Sequence, residues 1–131
     1  MTSQHPSPSR LTALVDEIVA AYNAKDFDRL AGHLDPNLVF CHHNRGFAHT
    51  SRDEFIATLR QFATEIMPDR RFGAATRVVA AGNTVIREQT WSGHARFDIP
   101  GMARAGELLQ LDLCSVYVFN GELVSEYHDY G

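Results

Sequence analysis

The sequence predicts an α+β domain, on three observations. Apolar residues recur at helical spacing through the first half, strand-like alternation fills the second half, and Asn120-Gly121 divides the last stretch into a hairpin. With 131 residues, 44% of them hydrophobic, the chain suffices for one sizeable core. Neither an internal repeat nor a linker divides it. The expected organisation is a short disordered lead over residues 1–8, followed by a single domain over residues 9–131.

The lead, MTSQHPSPSR, has no apolar signal-peptide core. Ser9 is read as an N-cap, after which Leu11, Leu14, Val15, Ile18, Val19 and Tyr22 form the stripe of a long first helix. Asp26 caps a second, short helix with Phe27, Leu30, Ala31 and Leu34 inward. Asp35-Pro36 is expected to end it, because proline disfavours helical geometry in the residue before it. Residues 37–44 then read as a strand. Leu38, Phe40, His42 and Asn44 share one face, and Val39, Cys41 and His43 the other. Residues 45–50 read as a loop. Ser51 opens a third helix, with Glu54 completing a capping box, Phe55, Leu59, Phe62 and Ile66 inward, and Pro68 as the stop. Four strands are expected over 72–80, 84–96, 107–119 and 122–130. A Gly82-Asn83 turn, a longer loop over 97–106 and Asn120-Gly121 separate them. For the last, a two-residue type I′ turn requires φ > 0 at both positions.

Charge and cysteine usage narrow the partners. The formal net charge is −4, and no basic run exceeds Arg70-Arg71, which argues against nucleic acid or an anionic membrane. No apolar run approaches the roughly 20 residues of a membrane helix. Cys41 and Cys114 sit singly in apolar strand contexts, as buried free thiols of a cytoplasmic protein would. There are seven histidines, but no His-x-x-x-His or Cys-x-x-Cys pair, and His42 and His43 point to opposite faces of a strand. No metal site is expected. No glycine-rich phosphate loop is present, and no cofactor is implied.

Two ionisable residues stand out. The ordinary histidine pKa near 6.5 suits proton transfer at neutral pH, and His42 lies among apolar strand residues. A partly buried imidazole bonded to backbone is the structural alternative. Asp129, bracketed by Tyr127 and Tyr130 at a strand end, is either a buried acid–base group or a solvated chain end. Asn44 offers an amide for a water or a carbonyl, or else a turn at the strand end. Gln89 and Trp91 share a face with Val85 and Arg87, Gln89 as a hydrogen-bond donor and Trp91 as an apolar wall or core residue. Ser115 and Tyr117 offer inward hydroxyls. Tyr22 reads as core and His94 as exposed.

The order of elements resembles the nuclear transport factor 2-like superfamily, and within it the SnoaL-like polyketide cyclases. The resemblance rests on AYNAKDFDRLAGHLDPNLVF, on Trp91-Ser92-Gly93-His94 leading into Ile99-Pro100-Gly101, and on VYVFNGELVSEYHDY, and it runs from about Leu11 to the end. It implies a curved, mostly antiparallel sheet wrapped around the long N-terminal helix, a cystatin-like cone with an open-ended apolar pocket. Against the limonene epoxide hydrolase pattern, Asn44 and Asp129 match, His42 stands in place of a tyrosine, and Gln89 and Trp91 stand in place of an Arg-x-Asp pair. Against ketosteroid isomerases, His42 takes the place of the catalytic base, and Ile18 and Ser115 take those of the oxyanion donors. Neither constellation is complete here. The resemblance implies cofactor-independent acid–base catalysis (isomerisation, cyclisation, dehydration or water addition) on a small, largely apolar molecule bearing a carbonyl or hydroxyl. His42 and Asp129 would transfer protons, while Asn44, Gln89, Trp91, Ser115 and Tyr117 would hold the substrate. It also implies a homodimer through the outer sheet face. The alternatives are a non-catalytic ligand-binding or dimerisation module of the same fold, or a protein-interaction module.

Overall fold

In the computed structural model, which describes residues 6–131, helix α1 spans Pro8–Asn23. Its N-cap is Ser7 rather than Ser9: the Ser7 hydroxyl accepts the Arg10 N–H, and Pro8 occupies the first turn, where its missing N–H costs nothing. Of the expected lead, residues 1–5 lie outside the described residues, and Ser7 and Pro8 already belong to the helix start. The predicted stripe is buried from Leu11 to Val19, and Tyr22 packs against the same core.

Helix α2, Phe27–Ala31, is capped by Asp26 as expected. It ends at Gly32, before Asp35-Pro36 is reached. Strand β1, Leu34–His42, instead contains that dipeptide. Proline is admitted because the β1 pairing with the last strand is interrupted between Leu34 and Val39, so no ladder bond is needed at Pro36. Leu38, Phe40 and His42 do share the buried face, whereas Asn44 lies beyond the strand in a turn. The stretch read as a loop contains a short strand, β2, Phe47–His49, folded back antiparallel on β1. Helix α3, Arg52–Gln61, is capped by Ser51, whose hydroxyl accepts the Glu54 N–H, and continues as a π-helical turn, Phe62–Ile66, before Pro68.

The remaining strands are β3 (Arg71–Phe72), β4 (Arg77–Ala81), β5 (Thr84–His94), β6 (Leu108–Asn120) and β7 (Leu123–Tyr130). They form one curved, unclosed seven-stranded sheet in the order β2-β1-β7-β6-β5-β3, with β4 also on β5. Only β1 and β7 run parallel. Helix α1 packs on the β3–β5 end and α3 on β1 and β2, so the helices cover one face. Alternate residues of β5 and β6 point into that face, among them Val85, Arg87, Gln89 and Trp91, then Leu113, Ser115, Tyr117 and Phe119. Cys41 and Cys114 are free and only half-buried, not buried as expected, because they point the other way.

The last hairpin forms, with a different turn. Asn120 pairs with Leu123, so Gly121 and Glu122 are the central residues, and only Gly121 takes a positive φ, 62°. Glycine at the first central position is the type II′ requirement, so the I′ expectation fails while its two-residue length holds. Glu122 then reaches back to Arg10 on α1 at 2.9 Å. The tip is further set by a bulge at Val118/Phe119, where the Ser125 hydroxyl donates to the Val118 carbonyl.

Replacing a cap removes a hydrogen bond that nothing nearby restores. Ser7→Ala and Ser51→Ala are each expected to lower stability by about 1 kcal/mol, and Ser9→Ala by less than ~0.5 kcal/mol. Urea unfolding of the three variants measures this, and an equal loss in Ser9→Ala would overturn the cap assignment.

Candidate active site

Between the helices and the sheet lies a cavity of about 450 Å³, within the range of small-molecule pockets. Its walls are aromatic and aliphatic: Phe40, Phe55, Leu59, Phe62, Phe72, Trp91 and Leu113 among others. Polar groups reach it from few places. His42, Asn44 and Arg45 come from the end of β1 and its turn, Asp129 from β7, and the Tyr22 and Tyr127 side chains also line it. The parallel β1–β7 register sets His42 directly beside Asp129, which is why two residues so far apart in sequence share one wall.

Asp129 is 6% exposed, and burial pushes its carboxyl up to about 7, opposed chiefly by the Ser115 hydroxyl. That hydroxyl donates to Asp129 Oδ1 at 2.6 Å. Behind it, Gln89 Nε2 donates to Ser115 Oγ at 3.2 Å, and Arg87 Nη1 donates to Gln89 Oε1 at 2.6 Å. Arg87 is itself anchored by the Gly73 carbonyl at 3.1 Å. Every donor in this chain points towards Asp129, so a buried cation is connected to a buried acid through an amide and a hydroxyl. Gln89 and Ser115 therefore support the carboxyl from behind and do not line the cavity. Tyr117, 1% exposed, stands in the core behind it and stacks on Tyr127 at 4.6 Å. Burial holds the Tyr117 hydroxyl protonated above the ordinary phenol range.

His42 lies 5.7 Å from the ring of Phe47, and its Nδ1 is buried with no partner among the described residues. Its pKa is lowered, first by burial and then by the Arg45 charge and by His43. The imidazole is neutral at pH 7. No hydrogen bond joins it to Asp129: the two groups are lateral neighbours that both face the cavity. Asn44 lines the cavity but also ties down the chain end, its Oδ1 accepting the Gly131 N–H at 2.8 Å. Trp91 is a wall residue, and its indole N–H donates to the Tyr22 hydroxyl at 2.9 Å.

The loop over 97–106 reaches the cavity as well. Ile99-Pro100-Gly101-Met102 forms a turn closed by the Met102 N–H on the Ile99 carbonyl at 2.9 Å, with Gly101 at φ 78°. Proline followed by a left-handed glycine is the type II arrangement, and it sets Pro100, Gly101 and Met102 against the cavity. His43 and His128 stay outside, bonded to each other at 2.9 Å on the outer sheet face, and His94 is exposed, hydrogen-bonded to Asp69 at 2.6 Å.

Sequence reasoning passed over two features of the site, one behind the cavity and one on its wall. Arg87 was placed on the inward face without a role, and the signal was present, since an arginine at an inward strand position needs a buried partner. Arg45 gave no signal, because only the turn geometry brings it to the cavity.

The SnoaL-like domain matches residues 15–127, and the chain belongs to that family. The structure is also similar to solved members of the nuclear transport factor 2-like superfamily. A proposed polyketide cyclase of Xanthomonas campestris pv. campestris superposes with a TM-score of 0.82 at 20% identity, covering 95% of this chain and 91% of that one. An epoxide hydrolase of M. tuberculosis, limonene-epoxide-hydrolase-like, gives 0.74 at 19%, covering 95% and 84%. A protein of ketosteroid isomerase-like fold from Catenulispora acidiphila, complexed with trimethylamine, gives 0.74 at 17%, covering 98% and 87%. At such identities the likeness establishes the fold alone. No curated protein matches the chain in sequence. No helix among the described residues is long and apolar enough to cross a membrane.

The raised Asp129 pKa has consequences for stability. The folded protein holds this proton up to about pH 7, while the unfolded carboxyl releases it near the ordinary 3.8. Stability therefore falls as pH rises across that interval, and this group adds no further loss above it. Asp129→Asn should match the wild type in acid and melt higher in mildly alkaline buffer, which thermal unfolding against pH measures. In an NMR titration His42 should titrate below 6.5, since burial and the Arg45 charge both disfavour its charged form. A wild-type His42 pKa above 6.5 would reject this reading of the wall.

Proposed function

We propose that this protein is a cofactor-independent acid–base enzyme acting on a small, largely apolar molecule with a carbonyl or hydroxyl group, Asp129 being the proton acceptor. One observation carries the reading: a carboxyl 6% exposed on the wall of an apolar cavity, poised near pH 7 and held by a chain of donors. A base whose pKa lies near the working pH combines a usable ionised fraction with strong proton affinity. The reaction class that fits is proton removal from a carbon beside a carbonyl, with isomerisation or ring closure as the outcome. Asp129 takes the C–H proton, and the developing oxyanion accepts a hydrogen bond from a ring N–H of neutral His42. Asp129 then returns the proton to another carbon in an isomerisation, or to the alkoxide oxygen formed when the enolate carbon adds to a second carbonyl in a ring closure. Dehydration or water addition would use the same pair in the same positions. Asn44 positions a polar atom at the mouth, Trp91 packs the apolar body, and Gln89 and Ser115 tune the base from behind. The SnoaL-like family and the cyclase and hydrolase neighbours support this reading without fixing the substrate. A homodimer through the outer sheet face, where Val39 and Tyr130 are exposed by 42% and 43%, and a cytoplasmic setting belong to the same proposal.

A binding module without catalysis is the competing reading, favoured by the lack of a hydrogen bond between His42 and Asp129. Turnover separates the two. With a substrate in hand, kcat/KM should rise through about pH 7 as Asp129 ionises. Asp129→Asn and His42→Ala should each lower kcat by at least about 100-fold with the fold intact. Ser115→Ala should move the midpoint upward, because it removes a hydrogen bond that favours the ionised form. A flat profile together with an active Asp129→Asn rejects the assignment.

A further inference from the structure

Among the described residues, Arg45 lines the cavity with a charge that has no partner within the protein. Its backbone N–H closes the turn after β1 onto the His42 carbonyl at 3.2 Å, and this turn brings the side chain to the cavity beside His42 and Asn44. Among the described residues the guanidinium makes no ion pair and no hydrogen bond, and its Nε is cut off from solvent with no acceptor. Arg70 and Arg87 are buried more deeply and, among the described residues, each also keeps one buried nitrogen without a partner (Arg70 Nη1, Arg87 Nε), but each donates from other nitrogens within the protein. Arg70 donates to the Tyr22 carbonyl at 2.8 Å and lies over the Tyr22 ring, and Arg87 donates to Gln89 and Gly73. A buried donor without an acceptor is costly, and a guanidinium presents a planar fork that matches a carboxylate.

The charges around Arg45 limit the ligand further. His42 is neutral at pH 7 and Asp129 lies next to it in register, so the wall holds one fixed positive charge and one acid that is still partly protonated. That balance suits a single negative charge. A phosphate dianion would face too little positive charge, beside a carboxyl. Beyond Arg45 the cavity is lined by Phe40, Phe55, Leu59, Phe62 and Trp91, which call for an apolar body.

We propose that the cavity is built for a hydrophobic carboxylate, whose carboxylate is received by Arg45 and whose apolar body lies against the Phe40–Phe55–Trp91 wall. This deepens the acid–base reading, on which it rests for the placement of the reacting carbon towards Asp129. The anion site itself can stand or fall alone.

Trp91 is the sole tryptophan and lines the same cavity, so its indole N–H resonance reports occupancy directly. The test titrates the protein with 4-phenylbutyrate and with its methyl ester, at a mildly acidic pH where the probe is ionised and Asp129 is not. The acid is expected to shift the Trp91 signal and to bind at least about tenfold more tightly than the ester. Arg45→Met should bring the ratio close to one and leave ester binding unchanged, while Arg45→Lys should keep part of the preference. Equal binding of acid and ester by the wild type overturns the proposal, as does a preference that survives Arg45→Met, or a Trp91 signal that answers neither probe. A preference retained in Asp129→Asn supports the anion site whatever that variant does to turnover, so failure of the proton-transfer reading is seen separately.

Discussion

A carboxyl group enclosed by aromatic side chains must either give up its charge or be supplied with donors from within the fold, and much of this sheet is arranged around that requirement. Asp129 receives the Ser115 hydroxyl, Ser115 the Gln89 amide, and Gln89 the Arg87 guanidinium, which ends on a backbone carbonyl. The chain crosses three adjacent strands, β5, β6 and β7, and holds only while their registers hold. Burial outweighs the donors, so the acid stays near pH 7 and does not fall into the usual carboxylate range. The same balance that makes Asp129 useful as a base makes it a burden on stability above neutral pH.

A second polar arrangement supports another part of the cavity lining. Arg70, 2% exposed, bonds the Tyr22 carbonyl near the end of α1 and covers the Tyr22 ring, whose hydroxyl in turn accepts the Trp91 indole N–H. The cation lies where the helix carbonyls converge, which favours positive charge. Helix, sheet and cavity wall are thereby joined through one tyrosine. The cavity lining also takes in His42 and Arg45 from the end of β1 and its turn, and the Pro100–Met102 turn.

Much of the fold was legible because burial leaves a periodic trace. Leu11 to Val19 at helical spacing, the Ser51 cap, and the alternation through Val85, Arg87, Gln89 and Trp91 all correspond to observed elements. The misreadings lie where a local rule met a tertiary contact. Asp35-Pro36 did not end a helix, because an interruption in the β1–β7 ladder accepts a proline. Asn120 did not enter the turn, because pairing with Leu123 left the left-handed position to Gly121 alone. Of the candidate residues, His42 and Asp129 stand side by side in register on the cavity wall, whereas Gln89, Ser115 and Tyr117 sit behind the cavity and not on it.

By itself the sequence determined the long helices, the inward faces of β1, β5 and β6, and the presence of two ionisable residues on inward faces, since these depend on spacing along the chain. Only the tertiary structure decided that His42 and Asp129 stand side by side without a bond, that Arg87 lies at the far end of the Asp129 donor chain, and that Arg45 turns to the cavity unpaired. Those outcomes depend on strand register and turn geometry, which join residues distant in sequence and leave no periodic mark on it.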